Sequence, residues 1–259
     1  MITHDPEQIK KLRKSGQILA TVLGLVASKV KPGVTAAELD ELAESKIRSL
    51  GGIPAFKGHK ANPSEKAFPA SLCVSINDEV VHGIPSKEKV LQDGDIVGLD
   101  LGVIYGGLYT DSAITVAVGK IDSKLVELVG AARKSLDKGL EQVKPGNHIG
   151  DIGCAIEKSA QDEGFVVVRD LVGHGVGESV WEEPEVPCFG KPGSGVEIKE
   201  GMVLAIEPML NMENWRIKFE ADGWTVKTQD NKPSAHFEHT VLVTKDGCEI
   251  ITQRKIVNL

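Results

Sequence analysis

The N-terminal part of the chain repeats apolar residues with the spacing of an amphipathic helix. Between His4 and Val30 they recur every three or four positions, and basic residues fill much of the opposite face. Lys31-Pro32-Gly33 breaks this pattern, and Thr35 with Glu38 forms a capping box for a second helix that ends near Gly51. We expect two outer helices here, with the basic face of the first turned to solvent.

The pattern then changes from helical to strand-like. Residues 53–70 contain three prolines and a glycine with little periodicity, which predicts a loop. A strand is expected at 72–76. Two runs rich in β-branched residues follow between Asp95 and Val118 and meet at Gly106-Gly107, a dipeptide favoured in tight hairpin turns.

The second half of the chain repeats this order. Helical patterns at 123–143 and 149–163 are separated by Lys144-Pro145-Gly146, and residues 165–251 are mostly strand-like with Gly- and Pro-containing turns. Helices and strands that recur in this way predict an α/β (α+β) fold of two similar halves, each with outer helices and antiparallel strands. We expect one domain spanning residues 1–259.

Composition narrows the class of protein. The chain is 41% hydrophobic and 26% charged, without an apolar run long enough to cross a bilayer, as expected of a soluble globular protein. Its net charge of -7 argues against nucleic acid as a partner. The four cysteines lack a Cys-x-x-Cys pair, and the N-terminal residues do not resemble a signal peptide, so we expect a reduced, cytoplasmic protein without membrane association.

Two aspartates fall on one face of the predicted hairpin. If Gly106-Gly107 is a two-residue turn, Gly102 opposes Asp111, and Asp100 lies two residues from Gly102 on the same face. Asp100 and Asp111 are then diagonal neighbours, and two buried like charges repel each other unless a cation lies between them. Solvent exposure of one aspartate explains this pair equally well when it is considered alone.

Three more residues with side chains that can bind a metal lie in apolar or glycine-rich parts of the sequence. His174 lies within Gly173–Gly177, Glu207 interrupts an apolar run, and Glu238 precedes another. Taken alone, either glutamate could be a salt-bridged structural residue, since a single buried acid is more often paired with Lys or Arg than with a metal. Together with the two aspartates, however, they supply four carboxylates and one imidazole. That set fits two divalent ions, such as Mn, Co, Fe or Zn, which share bridging carboxylates.

These residues, in this order and with these neighbours, resemble the type I, bacterial kind of methionine aminopeptidase over essentially the whole chain. The matching strings are Val81-His82-Gly83-Ile84-Pro85, Asp95 to Asp100 with Asp111, Gly173 to Gly177, Ile206-Glu207-Pro208-Met209, Asp222-Gly223-Trp224-Thr225-Val226 and Phe237-Glu238-His239-Thr240. So many ordered matches make chance agreement implausible.

The resemblance implies the pita-bread fold, in which two pseudo-symmetric halves hold a curved antiparallel sheet around two divalent metal ions. The metal ligands of the family match Asp100, Asp111, His174, Glu207 and Glu238. By the same resemblance, Asp111 and Glu238 bridge both ions, and Glu207 is also the general base that activates the attacking water.

Other matching positions concern substrate contacts. His82 matches the histidine that contacts the scissile amide, although a histidine before a glycine is by itself more typical of an ordinary loop. Asn77 and Ser234 match a peripheral site for one monovalent cation. The positions that match the pocket for the methionine side chain, with plain core packing as the alternative, are Phe68, Cys73 and Trp224.

The sequence departs from the family pattern at Trp181. The family usually has a second active-site histidine there, just before Glu-Glu-Pro. An indole N–H donates one hydrogen bond but cannot accept a proton near neutral pH. If the family's histidine only stabilises the substrate carbonyl, Trp181 can partly replace it. If that histidine transfers protons, Trp181 should lower turnover. Residues 57–67 are also longer and more polar than the common pattern, at the expected rim of the pocket.

The function that the resemblance implies is removal of the initiator methionine from nascent chains with a small second residue. It implies a monomer whose substrates are N-terminal Met peptides and which contacts the ribosome. Two alternatives stay open. One is a pita-bread peptidase of the Xaa-Pro type. The other, motivated by Trp181, is a weakly active or inactive pita-bread binding protein.

Overall fold

A computed structural model describes residues 1–60 and 66–254 of the protein. The four helices of these residues are α1 (Pro6–Ala27), α2 (Ala36–Ser49), α3 (Ser123–Leu140) and α4 (Ile149–Asp162). None of the helices in this described part is both long and apolar enough to span a membrane. The predicted capping box is confirmed, since Glu38 N donates to Thr35 Oγ1 and Thr35 N donates to Glu38 Oε2.

The strands of the described residues form four sheets, all with antiparallel pairing. The strands are β1 (Ile53–Pro54), β2 (Leu72–Ile76), β3 (Glu79–Val81), β4 (Ile96–Tyr105), β5 (Leu108–Ala117), β6 (Val166–Val167), β7 (Gly173–Gly175), β8 (Glu182–Val186), β9 (Val203–Ile206), β10 (Met209–Asn211), β11 (Ile217–Phe219), β12 (Val226–Thr228), β13 (Ser234–His236), β14 (His239–Thr244) and β15 (Gly247–Ile250). Strand β4 pairs with β1, β2 and β5 in one sheet, and the largest sheet has the order β15-β14-β9-β7-β8.

The two predicted halves are visible in how the helices pack. Helix α1 packs on the β4–β5 hairpin and on α2, whereas α3 packs on α4 and on strands β10 and β13. One apolar core joins them, because a single cluster of buried residues draws members from both helix pairs and both halves of the strand structure. Leu23, Leu99, Leu136, Ile152 and Val241 are examples from α1, β4, α3, α4 and β14.

One detail of the predicted elements is wrong. The predicted loop at 53–70 begins with a short strand, because Ile53 and Pro54 pair with Ile104 and Val103. Glu207 lies between β9 and β10, and Glu238 lies between β13 and β14. Each glutamate therefore lies at a break where its side chain leaves the alternation of the sheet. Part of the unusual segment 57–67 lies outside the described residues, namely 61–65.

Candidate metal centre and substrate pocket

A pocket of about 450 Å³ lies where the two halves of the strand structure meet. All five predicted metal ligands line it, together with His82 and Trp181. The other residues that line this pocket are Phe56, His59, Phe68, Cys73, Val180 and Trp224. The structure thus brings together residues that the sequence separates by up to about 180 positions.

The β4–β5 hairpin positions the two aspartates. Gly106 and Gly107 both have positive φ angles, 60° and 83°, as a two-residue hairpin turn requires. The predicted register is confirmed, because Gly102 is paired with Asp111 and Asp100 with Ala113. Both aspartates are buried.

Hydrogen bonds between β5 and the segment around β14 place Glu238 next to the strand that contains Asp111. Asp111 N donates to Thr240 Oγ1 over 2.9 Å, and Thr240 Oγ1 donates to Asp111 O over 2.8 Å. Glu238 N donates to Ala113 O over 3.0 Å. Arg254 lies behind this contact, where its guanidinium donates to the carbonyl oxygens of Ala113 and Glu238. These hydrogen bonds thereby join residues from both halves of the chain at the site.

The glycines beside His174 permit close approach of neighbouring strands. A Cβ atom on Gly173 would lie 2.4 Å from Ala205 O, and one on Gly175 would lie 2.3 Å from Glu183 O. The close packing fixes the imidazole, whose Nδ1 donates to Gly175 O over 2.8 Å. Nε2 is then the nitrogen that faces the carboxylates, with Glu207 Oε1 at 3.3 Å. When one ring nitrogen of a histidine binds a metal, the N–H of the other nitrogen commonly donates to a carbonyl in this way.

Glu207 lies at the break between β9 and β10 and contacts two imidazoles. Besides His174, the Nε2 atom of His236 lies 3.7 Å from Glu207 Oε2. We did not single out His236 in the sequence. Its position two residues before Glu238, near the end of β13, is the signal that suggests it, because alternate residues of an extended segment share a face.

Four carboxylates this close together, away from water, are electrostatically unfavourable unless a cation lies among them. Burial away from water raises the pKa of Asp100 to about 7. Burial, together with repulsion from neighbouring carboxylates, holds the pKa of Asp111, Glu207 and Glu238 well above the usual range for acids. The histidines respond in the opposite direction, since burial lowers the pKa of His82 and His174 to about 4. Both imidazoles are therefore neutral at neutral pH, and a neutral imidazole has one N–H donor and one nitrogen with a free lone pair that can bind a cation.

The residues fit a divalent metal centre. Each of the four acids has one buried carboxylate oxygen without a hydrogen-bond partner in the described structure, which is costly unless a cation binds it. Ligand atoms of Asp111, His174 and Glu238 all lie within 4.8 Å of one another, as residues around one ion do. The remaining two acids line the same pocket. Oxygen-rich ligation with one imidazole suits catalytic divalent ions rather than a thiolate-based structural zinc site.

An apolar pocket adjoins this centre. Phe68, Cys73 and Trp224 are buried together, with the rings of Phe68 and Trp224 in edge-to-face contact at 5.3 Å between centroids. Burial raises the pKa of the Cys73 thiol well above its usual value, so the thiol presents an uncharged, polarisable surface. Phe56 packs against the same cluster and was missed in the sequence, since it lies in the predicted loop without a periodic pattern.

His82 and Trp181 lie between the metal centre and the apolar pocket. His82 has a φ angle of 57°, an uncommon conformation for a residue with a side chain, and its ring lies 6.0 Å from that of Trp224. Trp181 lies 6.3 Å from His82 and 6.5 Å from His174, measured between ring centroids. The indole thus occupies the pocket where the sequence comparison led us to expect an imidazole.

Asn77 and Ser234 are neighbours, since Ser234 N donates to Asn77 O over 2.9 Å. Their side chains already have partners. Asn77 Nδ2 donates to Asp95 Oδ1, and Ser234 Oγ donates to Leu210 O. The monovalent-cation site at these residues stays a prediction.

Comparison with known proteins identifies the family. The model of metallopeptidase family M24 matches residues 10–245. The chain belongs to this family. It is therefore a metallopeptidase, a class of hydrolases that depend on divalent metal, in agreement with the carboxylate cluster described above.

Its relatives within the M24 family are bacterial methionine aminopeptidases. The methionine aminopeptidase of Clostridium perfringens is 46% identical over 252 residues, which cover 97% of this chain and 98% of that protein. Methionine aminopeptidase 1 of Bacillus subtilis is 43% identical over 253 residues, with coverage of 98% and 99%. The crystal structure of the Thermotoga maritima methionine aminopeptidase superposes with a TM-score of 0.93 at 43% identity, covering 98% of this chain and all of that one.

More distant structures share the fold alone. The prolidase of Pyrococcus furiosus superposes with a TM-score of 0.77 at 22% identity, covering 98% of this chain but 66% of its own. The pita-bread fold that the resemblance implied is thereby confirmed, with its mixture of helices and antiparallel sheets. The prolidase-type alternative is not favoured, because the methionine aminopeptidases match at higher identity and over nearly their full length.

Proposed function

We propose that this chain is a methionine aminopeptidase that removes the N-terminal methionine from nascent proteins. The observation that carries the proposal is the apolar pocket of Phe68, Cys73 and Trp224 directly beside four carboxylates and an imidazole. An unbranched thioether fits the apolar pocket, and the peptide bond that follows then lies at the carboxylates. Full-length similarity to methionine aminopeptidases supports the same substrate.

The residues proposed to hold metal are Asp100, Asp111, His174, Glu207 and Glu238. We propose that these residues would hold two divalent ions, Co, Mn, Fe or Zn, because four acids exceed what one ion needs. When bound, such ions polarise the peptide carbonyl and lower the pKa of water. Asn77 and Ser234 are retained as the proposed site for one monovalent cation.

Side chains of the protein would transfer the proton, bind the scissile amide and exclude water. Glu207 accepts the proton of the attacking water at a carboxylate oxygen, a role that its contacts with His174 and His236 support. His82 is neutral, as its lowered pKa of about 4 indicates, and donates a hydrogen bond to the scissile amide. Trp181, with Phe68, Cys73 and Trp224, contacts the substrate and excludes water from the reacting groups.

The proposal also covers the setting in which the enzyme works. We place residues 1–259 in one catalytic domain, acting as a monomer in the cytoplasm. Its partners are peptides with N-terminal methionine, and contact with the ribosome rests on the family resemblance alone. Neither a membrane nor direct binding of nucleic acid is part of the proposal, consistent with the net charge of -7.

Peptide hydrolysis tests the proposal and separates it from its alternatives. The purified protein, supplied with Mn²⁺ or Co²⁺, is incubated with Met-Ala-Ser and with a matched Xaa-Pro peptide. We expect release of methionine from the first and no cleavage of the second. Cleavage of the Xaa-Pro peptide alone would establish the prolidase type, and absence of any cleavage by folded, ion-loaded protein would favour the inactive binding protein.

A further inference from the structure

The chain that follows β15 runs back toward two of the proposed metal ligands. It continues beside the start of β14, where Ile251 N donates to Thr240 O over 2.9 Å and Thr240 N donates to Thr252 Oγ1 over 3.1 Å. Ile251 and Thr252 are both buried. These contacts anchor the backbone two residues before Arg254, whose side chain is partly buried and reaches across to β5.

The guanidinium of Arg254 joins the two backbone segments that contain Asp111 and Glu238. Its Nη1 atom donates to Ser112 Oγ, and its Nη2 atom donates to Ala113 O over 3.2 Å and to Glu238 O over 3.4 Å. Ser112 Oγ in turn donates to Glu238 O over 2.6 Å. One side chain therefore contacts the residue directly after Asp111 and the backbone carbonyl of Glu238 itself.

The shape of a guanidinium suits this position. Its N–H groups lie in a fixed plane, and a charged donor forms stronger hydrogen bonds than a neutral one. The three acceptors are two backbone carbonyls and one hydroxyl, rather than a carboxylate. The hydrogen bonds of Arg254 therefore restrict how the segment of Asp111 and the segment of Glu238 lie relative to each other.

Arg254 affects the site without being part of its surface. It is not among the described residues that line the pocket. Burial lowers the pKa of Arg254 to about 10, and a guanidinium removed from water is unfavourable unless hydrogen bonds compensate it. Burial and neighbouring acids raise the pKa of Glu238, and the positive charge of Arg254 opposes that shift. The guanidinium thus acts on a proposed ligand from behind its backbone.

We propose that Arg254 is a positioning residue of the metal centre, which keeps Asp111 and Glu238 at the separation that a divalent ion needs. The inference rests on the proposed metal centre and adds a residue that would contact neither the ion nor the substrate. Ligand atoms of Asp111 and Glu238 already lie within 4.8 Å of each other and of His174. Loss of a hydrogen bond that orients a metal ligand commonly weakens metal affinity by about 10- to 100-fold.

The affinity for Mn²⁺ tests this role without relying on peptidase activity. The full chain is stripped with EDTA and titrated with Mn²⁺ in a calorimeter, at a temperature well below the Tm of each variant. Arg254→Ala should raise the Kd for Mn²⁺ by about 10-fold. Arg13→Ala is the matched control, because it removes an exposed guanidinium that donates to Glu249 of β15, and it should leave the Kd unchanged.

A conservative variant separates the hydrogen bonds from the charge. Arg254→Lys keeps the positive charge but lacks the planar arrangement of donors, so its Kd for Mn²⁺ should lie between those of the wild type and Arg254→Ala. Full recovery of the wild-type Kd in Arg254→Lys would assign the effect to charge and contradict positioning by the guanidinium.

Ser112→Ala tests whether the hydroxyl belongs to the same network. It should also weaken Mn²⁺ binding, and its combination with Arg254→Ala should weaken binding by less than the product of the two single effects. Independent effects of the two substitutions would contradict a shared network.

Thermal melts of the metal-free variants identify a merely structural role. If Arg254→Ala lowers the Tm of the metal-free protein but leaves the Kd for Mn²⁺ of the folded protein unchanged, the inference is wrong. Wild-type protein that binds no Mn²⁺ would overturn both this inference and the proposed metal centre. The expected order of Kd values in a protein that does not hydrolyse Met-Ala-Ser would instead refute the proposed function and support the role of Arg254.

Discussion

At the scale of single residues, Glu207 has the largest number of proposed roles, as a metal ligand and as the general base. It is an acid in contact with two imidazoles, at 3.3 Å and 3.7 Å, and burial and neighbouring acids raise its pKa. A group in this setting readily holds a proton at neutral pH, as a general base must after it has taken one from water. The break between β9 and β10 is what directs it into the pocket.

Glu207→Gln should abolish turnover while the fold is kept. The amide has nearly the same shape but cannot take a proton and no longer neutralises a cation, so we expect kcat for Met-Ala-Ser to fall by about 10²-fold or more. Circular dichroism and metal content are measured alongside. Glu213→Gln, at a surface glutamate paired with Lys232, is the matched control and should behave as wild type. Retention of more than roughly a tenth of the wild-type kcat would remove Glu207 from the role of base.

Trp181→His should keep the fold and raise turnover. An imidazole at this position lies within reach of His82 and His174 and supplies both a donor and an acceptor, whereas the indole supplies one donor only. We expect kcat for Met-Ala-Ser to rise roughly tenfold. Trp181→Phe, which provides neither group, serves as the comparison and should not show the rise. An unchanged kcat in Trp181→His would mean that the indole serves as well as the imidazole.

At the scale of elements, the β4–β5 hairpin could be predicted down to the residues that pair across its two strands. Its register follows from local rules, because two glycines with positive φ admit a two-residue turn and the pleat then fixes which residues share a face. The helix caps follow from equally local chemistry at Thr35. Asp100 and Asp111 could therefore be brought together from sequence alone.

The other proposed ligands could not be placed by local rules. Glu238 reaches Asp111 through pairing of β14 with β9 and through hydrogen bonds to β5, more than 120 residues away. No spacing along the chain encodes which distant strands become neighbours. The family resemblance named those residues, and the structure places them in one pocket. His59, Phe56 and His236 were missed for the same reason, since they join the site only through tertiary contacts.

Two glycine substitutions test the account of the hairpin. Gly107→Ala should lower the free energy of unfolding by about 1–2 kcal/mol, because φ is 83° there and the cost is one of backbone conformation. A Cβ atom at this position meets nothing within 4 Å, so no clash contributes. Gly130→Ala, at an equally open and exposed position within α3, should instead stabilise the protein by about 0.5–1 kcal/mol. Chemical denaturation measures both, and equal effects of the same sign would contradict the assignment.

At the scale of the whole molecule, stability and metal binding are linked through protons. The raised pKa of the four acids means that the metal-free folded protein holds protons that the unfolded chain releases near pH 4. Their contribution to stability falls as the pH rises toward and beyond 7. The buried histidines act in the opposite direction, but their effect is complete above about pH 6.5, the pKa of unfolded histidine.

The metal-free protein should therefore lose thermal stability between about pH 6.5 and pH 8. Divalent ions should reverse this loss, because they neutralise the carboxylates and bind more tightly as protons leave. Thermal melts in EDTA and in Mn²⁺ at both pH values measure the effect, and the gain in Tm from Mn²⁺ should be larger at pH 8. A Tm gain that is equal at both values, or a metal-free Tm that rises with pH, would contradict the electrostatic description of the site.

We propose that the carboxylate cluster and the apolar pocket form one metal-dependent site for N-terminal methionine. A titration of peptidase activity with metal tests it most directly. Protein stripped with EDTA is supplied with increasing Mn²⁺ or Co²⁺, and methionine released from Met-Ala-Ser is measured. We predict no release from the stripped protein and a return of activity that saturates near two ions per chain. Full activity in the stripped protein, or none at any ion concentration in folded protein, would contradict the claim.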